Sequence, residues 1–305
     1  MRVVVIAGPT AVGKSELAVQ LATALDGEIV NFDSVQIYKG FDIGSAKPSP
    51  AQRATIPHHL LDIVEPTAEF TAAEYARLAA PLVEEIAQRG RRPILVGGTF
   101  FYLRALLSGL PEMPPRDEAI RRRLRRISDR PTGPARLHRW LRRVDPVSAG
   151  KLAVADRHRV ERALEVWLLR ARPISDTPPP SSATPDRFPA VRIALAMDRQ
   201  RVKAAIDARV ESMYAAGLVE ETRALLARYP ADARPFASIG YKEAAAIVRG
   251  VLSVEAGIEE TKRRTRAYAK RQMTWLRSER NVHWLDAADR EKAFQQALAI
   301  IEGEH

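Results

Sequence analysis

Gly8-Pro9-Thr10-Ala11-Val12-Gly13-Lys14-Ser15 has the spacing G-x-x-x-x-G-K-[ST]. The two glycines let the loop curl so that its N–H groups point inward. Lys14 brings a full charge to terminal phosphates, and the Ser15 hydroxyl can hold Mg2+. A polyphosphate or a diphosphate is the expected ligand. A second group, Asp33-Ser34-Val35-Gln36, holds a carboxylate that suits water-mediated Mg2+, a general base or the cap of the next turn. Gln36 has the paired donor and acceptor that reads an adenine edge. A third group is Gly97-Gly98-Thr99. Its glycines permit close backbone approach to a ligand, or simply tight packing, and its hydroxyl can donate a hydrogen bond. Many phosphate-loop NTPases place an acidic residue here for Mg2+. This chain has none, which weakens an ordinary ATPase reading.

These groups need a frame that makes them converge. Residues 1–112 alternate strand and helix: a strand over Val3–Ala7, a helix over Glu16–Leu25, a strand over Glu28–Asn31, a short strand over His58–Val64, a helix over Thr71–Arg89 and a strand over Arg92–Val96. Thr71 with Glu74 three residues on is a capping-box pattern. Such alternation predicts an α/β fold, a parallel sheet covered by helices, with ligands beyond the C-terminal strand ends. All three groups follow strand ends. Residues 113–188 are rich in Arg and helix formers and read as an all-helical insertion domain, returning through a flexible Pro/Ser-rich linker over Pro173–Pro189. Residues 189–305 rejoin the sheet domain. They carry a strand at 191–196, helices at 199–215, 217–228, 241–248 and 257–279, and a strand at 282–285.

The 305 residues contain 48 Lys and Arg against 37 Asp and Glu, a net charge of +11. That field attracts polyanions and suits a nucleotide or nucleic-acid partner. With no Cys, disulfides and Cys-based zinc sites are excluded. No apolar stretch reaches the length of a membrane span, and the N-terminal apolar run leads straight into the phosphate loop. A cytoplasmic protein and a monomer are expected. His58-His59 lacks the companions a metal site needs. Two basic runs stand out. Arg121-Arg122-Arg123-Leu124-Arg125-Arg126 is either a solvated helix face or a phosphate-contacting one. From Lys262 to Arg277, helical spacing puts Lys262, Arg266, Lys270, Thr274 and Arg277 on one face, beside an apolar stripe of Ala269, Met273 and Leu276. That face suits an RNA backbone, with Trp275 placed for packing rather than stacking. On residues alone, a nucleotide kinase and a non-catalytic RNA-binding module stay open.

Seven segments in order, GPTAVGKS, DSVQIYKGFDIGSAKP, PHHLLDI, ILVGGTFFYLRALL, RHRVERALEV, SIGYKE and AYAKRQMTWLR, resemble the tRNA dimethylallyltransferase (tRNA isopentenyltransferase) family in its bacterial form. The likeness runs along almost the whole chain. It implies a phosphate-loop NTPase-like core and transfer of a dimethylallyl group from dimethylallyl diphosphate to N6 of adenosine 37 in tRNA, with Mg2+. The implied diphosphate site is Gly8 to Ser15, with Arg209. Asp33 is implied as the base, and Thr99 as the residue where tRNA and prenyl donor meet. Implied tRNA contacts are Asp33, Ser34, Val35, Gln36, Thr99, Arg121, Arg157, His158, Arg159, Val160, Glu161, Lys270, Arg271, Gln272, Thr274, Trp275 and Arg277. The chain departs from the family mildly at Val35 and at Arg157-His158, where other side chains are common. Prenylation of free AMP is the related alternative, disfavoured by the two basic surfaces.

Overall fold

A computed structural model describes residues 2–177 and 186–303. Its chain divides into two compact units, residues 1–108 with 185–305, and residues 109–184. The first is organised on a parallel sheet. Strand β1 (Val3–Ala7) leads through the phosphate loop to helix α1 (Lys14–Ala24), followed by β2 (Gly27–Asn31), α2 (Pro50–Thr55), β3 (His58–His59), α3 (Ala72–Gln88), β4 (Arg92–Val96) and α4 (Phe100–Leu107). Thr71 and Glu74 form the expected capping box of α3.

The helical unit holds α5 (Glu118–Ser128), α6 (Gly133–Val144), α7 (Pro146–Lys151) and α8 (Arg157–Arg170). Leu124, Leu137, Leu141, Val160 and Leu164 form its core. Asp117, Asp145 and Asp156 each accept a backbone N–H at a helix start. Within the linker expected over Pro173–Pro189, Ile174–Asp176 is a 3-10 turn, held where Ser175 N donates to Asp145 Oδ2 at 3.1 Å. Residues 178–185 of that linker lie outside the described residues.

The chain re-enters the sheet beside its point of departure. Arg187 N donates to Leu107 O at 2.7 Å, and Ser108 Oγ to Asp186 Oδ1 at 3.2 Å. Then come β5 (Ala190–Ala196), α9 (Arg199–Ala215), α10 (Leu218–Arg228), α11 (Tyr241–Val248), α12 (Val254–Leu276), β6 (Val282–Asp286) and α13 (Arg290–Gly303). Strand order is β3-β2-β4-β1-β5-β6, every pair parallel. The fully buried run Val3–Ala7 sits inside the sheet because both its faces are covered.

One expected strand is much shorter. Only His58 and His59 of the segment 58–64 pair with β2, although Val64 bridges Tyr38. Leu60 and Asp62 have positive φ, 61° and 55°, so the backbone cannot stay extended. Asp62 is drawn instead to Lys47 Nζ (2.5 Å) and Arg53 Nη1 (2.8 Å). That cluster braces the long excursion between β2 and α3.

Candidate functional site

The C-terminal ends of β1, β2 and β4 open on one cavity of about 660 Å³. Thr10, Ala11, Gly13, Lys14 and Ser15 line one wall, Asp33 to Gln36 and Gly97-Gly98 another, and Arg209, Tyr268 and Gln272 a third. The parallel sheet produces this convergence, since it brings all its C-terminal ends to one side.

Each loop has its own local reason. Gly8 has φ 149°, and a Cβ there would sit 2.9 Å from Leu195 O, so only glycine fits beneath β5. Ala11 takes φ 68°, a costly conformation for a residue with a side chain, at a half-buried bend that packs against Ile206, Val210 and Ala269. α1 starts at Lys14 itself, two residues earlier than expected. Its unsatisfied N–H groups and positive dipole end therefore face the cavity. Val12, by contrast, is buried in the core, so its side chain serves packing and only its backbone belongs to the loop.

Lys14 is half-buried, and its Nζ donates to Pro9 O at 2.8 Å. Burial, reinforced by the Arg209 guanidinium and opposed by the Asp33 carboxylate, pushes its pKa down to about 7. Arg209 reaches the same cavity from α9, and among the described residues no carboxylate bonds to it. Burial also lowers its pKa, with Asp33 opposing. Two cations thus stand in a partly desolvated space without an anion of their own, the electrostatic arrangement of an anion site.

Asp33 Oδ1 accepts from Val35 N (2.8 Å) and Gln36 N (3.3 Å), so one oxygen caps the turn while the other stays uncommitted. Capping and chemistry are therefore compatible in one carboxylate. Thr99 Oγ1 accepts from Ser34 N (3.0 Å) and donates to Ser34 Oγ (3.1 Å), tying the end of β4 to the Asp33 turn. Gly97 leaves no room for a Cβ, which would lie 2.6 Å from the Phe32 carbonyl. Gln36 differs from expectation. Its Nε2 donates to Ser45 O (3.0 Å) and Ala46 O (3.2 Å), so both amide hydrogens are committed and only Oε1 remains to meet a base. His58 also lines the cavity. It is held by Ile56 O at 2.7 Å, and burial lowers its pKa. Among the described residues no three His, Cys, Asp or Glu side chains gather as a metal set.

The basic face expected along α12 is divided. Lys262 is buried and bonds Glu211 and Glu259, each at 2.8 Å, and Arg266 Nε bonds Asp207 at 2.8 Å. Both are neutralised within the protein, because α9 presents carboxylates to the same side of α12. Lys270, Arg271, Thr274 and Arg277 are exposed. Gln272 is buried and turned into the cavity. Trp275 lies flat on Phe100, centroids 4.5 Å apart, with Arg104 over its ring, so its faces are used in packing.

In the helical unit, Arg157, His158 and Arg159 are exposed at the start of α8, and Glu161 is half-buried. Val160, expected among the RNA contacts, is 1% exposed and packs in the core; its side chain cannot reach a ligand. Arg121 is paired with Glu118, whereas Arg122, Arg123, Arg125 and Arg126 are exposed. Tyr268 escaped sequence reasoning. Its hydroxyl donates to Gly98 O at 2.8 Å, and burial and the Asp33 charge raise its pKa. Its position four residues before Gln272 on α12 was the available signal.

The model of a family described as IPP transferase matches residues 36–279. A tRNA dimethylallyltransferase of Solibacter usitatus is 48% identical over 286 residues, covering 93% of this chain and 92% of the relative. The crystal structure of full-length tRNA isopentenylpyrophosphate transferase from Bacillus halodurans superposes with a TM-score of 0.74 at 37% identity, covering 99% of this chain and 96% of the other. A eukaryotic dimethylallyltransferase acting on tRNA superposes with a TM-score of 0.79 at 29% identity, covering 98% and 78% respectively. Among the described residues no helix is long and apolar enough to cross a membrane.

Proposed function

The chain belongs to the IPP transferase family, and from that premise we propose that it transfers a dimethylallyl group from dimethylallyl diphosphate to N6 of adenosine 37 in tRNA. One observation carries the reading. The cavity faces unpaired Lys14 and Arg209 on one side with a half-free Asp33 carboxylate on the other. That pairing provides for an anionic leaving group and for a nucleophile that must lose a proton.

In this reading the diphosphate lies against the N–H groups of residues 11–15, since Pro9 has none and Thr10 N donates to Gln272 Oε1. Lys14 and Arg209 stabilise the charge that grows as the allylic C–O bond breaks and the diphosphate leaves with the electron pair. The N6 nitrogen forms the new bond to carbon, and the free oxygen of Asp33 takes the proton N6 loses. An exocyclic amine is a poor nucleophile, so this proton acceptor matters. Gln36 Oε1 accepts from the base, while its Nε2 stays on the backbone of residues 45–46. The adenosine must leave the loop stack to enter. Lys270, Arg271, Thr274 and Arg277, with Arg121, Arg157, His158, Arg159 and Glu161 of the helical unit, contact the anticodon stem-loop. We read the protein as a monomer, since a single chain holds every residue invoked, and as cytoplasmic, where a tRNA substrate would be met.

Mg2+ fits the donor set. Ser15 offers a hydroxyl at the exposed end of the loop, on the same cavity, while the free oxygen of Asp33 stays with the proton of N6. With so few protein donors, the ion would be held largely by substrate phosphates and water, as Mg2+ commonly is. It would supply further neutralisation of the leaving group.

The test is a transfer assay with Mg2+, dimethylallyl diphosphate and unmodified tRNA, read by mass spectrometry, with AMP and ATP as parallel substrates. Modified adenosine 37 and released diphosphate are expected. Transfer to AMP alone, or ATP turnover without prenyl transfer, would overturn the proposal.

A further inference from the structure

We infer that Gln272 is a positioning residue: it bolts the phosphate loop to the turn that carries Thr99 and so sets the distance between the two reactants. The inference rests on the reading of the cavity as a prenyl-transfer site. β1 and β4 pair only as far as Ile6 and Val96, after which their chains part into the phosphate loop and the Gly97-Gly98-Thr99 turn. Gln272 spans that gap. Its Oε1 accepts from Thr10 N at 2.9 Å, and its Nε2 donates to Gly98 O at 3.1 Å. Among the described residues no other hydrogen bond joins residues 9–13 to residues 97–99.

The surroundings are shaped for this strut. Gln272 is 3% exposed, and a primary amide at that depth is costly unless both its ends are bonded. A Cβ at Gly98 would lie 2.6 Å from Gln272 Nε2, so a side chain there fits only if the amide moves away. One helical turn earlier, Tyr268 donates to the same Gly98 carbonyl. Gly98 is thus held twice, whereas Thr10 is held to the turn by Gln272 alone. An RNA contact by Gln272 would require an exposed amide. This one is buried with both ends engaged.

The consequence is kinetic. Transfer needs the allylic carbon and N6 in near-attack geometry, and a misplacement of about 1 Å costs about 10²-fold. Either substrate alone needs only its own half of the cavity. Losing the strut should slow the chemical step while leaving separate binding nearly intact.

Two variants break the strut from opposite ends. Gln272→Met keeps the length and the apolar stem but loses both bonds. Gly98→Ala displaces the amide with a methyl group while leaving α12 unchanged. The measurements are the single-turnover transfer rate at saturating substrates, binding of inorganic diphosphate, binding of tRNA, and the thermal midpoint. We expect each variant to lose about 10²-fold in rate, with both affinities close to wild type and the double variant no worse than either single one. An unchanged rate, additive losses, or a defect confined to tRNA affinity overturns the inference. So does a rate defect that vanishes well below the variants' melting range, which marks a merely structural role. Failure of the wild-type chain to transfer overturns the reading of the site itself, and this inference with it.

Discussion

Lys14 and Arg209 on the cavity wall and Lys262 and Arg266 on the neighbouring helix are alike in the sequence and opposite in the structure. The first pair is half-buried, faces a shared cavity, and among the described residues meets no protein anion by ion pair. The second pair is locked to Glu211, Glu259 and Asp207. Desolvated cations without partners are held ready for a ligand's charge. Paired ones have spent theirs on joining α9 to α12. A basic run therefore announces a binding face only after its internal partners are subtracted. What remains of the α12 face is Lys270, Thr274 and Arg277, with Arg271 exposed beside them.

The comparison can be broken most sharply from the cavity side. Asp33→Ala should reduce transfer by about 10³-fold, while tRNA binding persists, as measured by single-turnover transfer beside a filter-binding titration. Normal turnover would remove Asp33 from the chemistry. Next, Arg209→Ala should weaken inorganic diphosphate binding by roughly tenfold or more, the scale of a lost charge-assisted hydrogen bond. Titration calorimetry reads this directly, and an undiminished affinity would place the anion elsewhere.

Lys14 gives the comparison a pH axis. Its pKa is depressed to about 7, against an ordinary value of 10.5. Between those values the unfolded chain binds more protons than the folded one, so stability from this group rises as pH climbs from about 7 toward 10.5. Below pH 7 the charged, desolvated amine carries its full penalty. Bound diphosphate should restore the proton. Diphosphate affinity should therefore fall as pH rises above 7, with proton uptake visible in buffers of different ionisation enthalpy. Lys14→Met should abolish that uptake; its persistence would assign the proton to another group.

The smallest effects belong to the paired set. Arg266→Ala should cost about 1 kcal/mol of stability and leave tRNA affinity nearly unchanged. Arg277→Glu, on the exposed end of the same helix, should weaken tRNA binding and flatten its dependence on salt. Equal losses of tRNA affinity from both would erase the distinction drawn between them.

How much of this could be read from the chain differs by element. The phosphate loop, the capping box at Thr71 and Glu74, and the hydrophobic strands were legible because their signals are local: a spacing, a cap, a buried run. The strand expected at 58–64 stops at His59, because the left-handed residues Leu60 and Asp62 answer to distant partners, Leu60 O to Asn31 and the Asp62 carboxylate to Lys47 and Arg53. Val160 carried the wrong role because a motif names neighbours in sequence, and successive residues on a helix point in different directions. Gln36 looked free to read a base until the carbonyls of Ser45 and Ala46 claimed its amide hydrogens.

From the order of its residues alone this protein had an α/β architecture, a loop made for phosphates, a carboxylate and a hydroxyl at two further strand ends, and a strong family likeness. Those features depend on short-range geometry and on the rule that parallel strands end together. Tertiary structure alone decided which cations keep their charge for a ligand, which amide becomes a strut, and that Lys14 titrates near neutrality. Each of these depends on partners up to 262 positions apart, as Thr10 and Gln272 are, and on how much water the packing leaves between them.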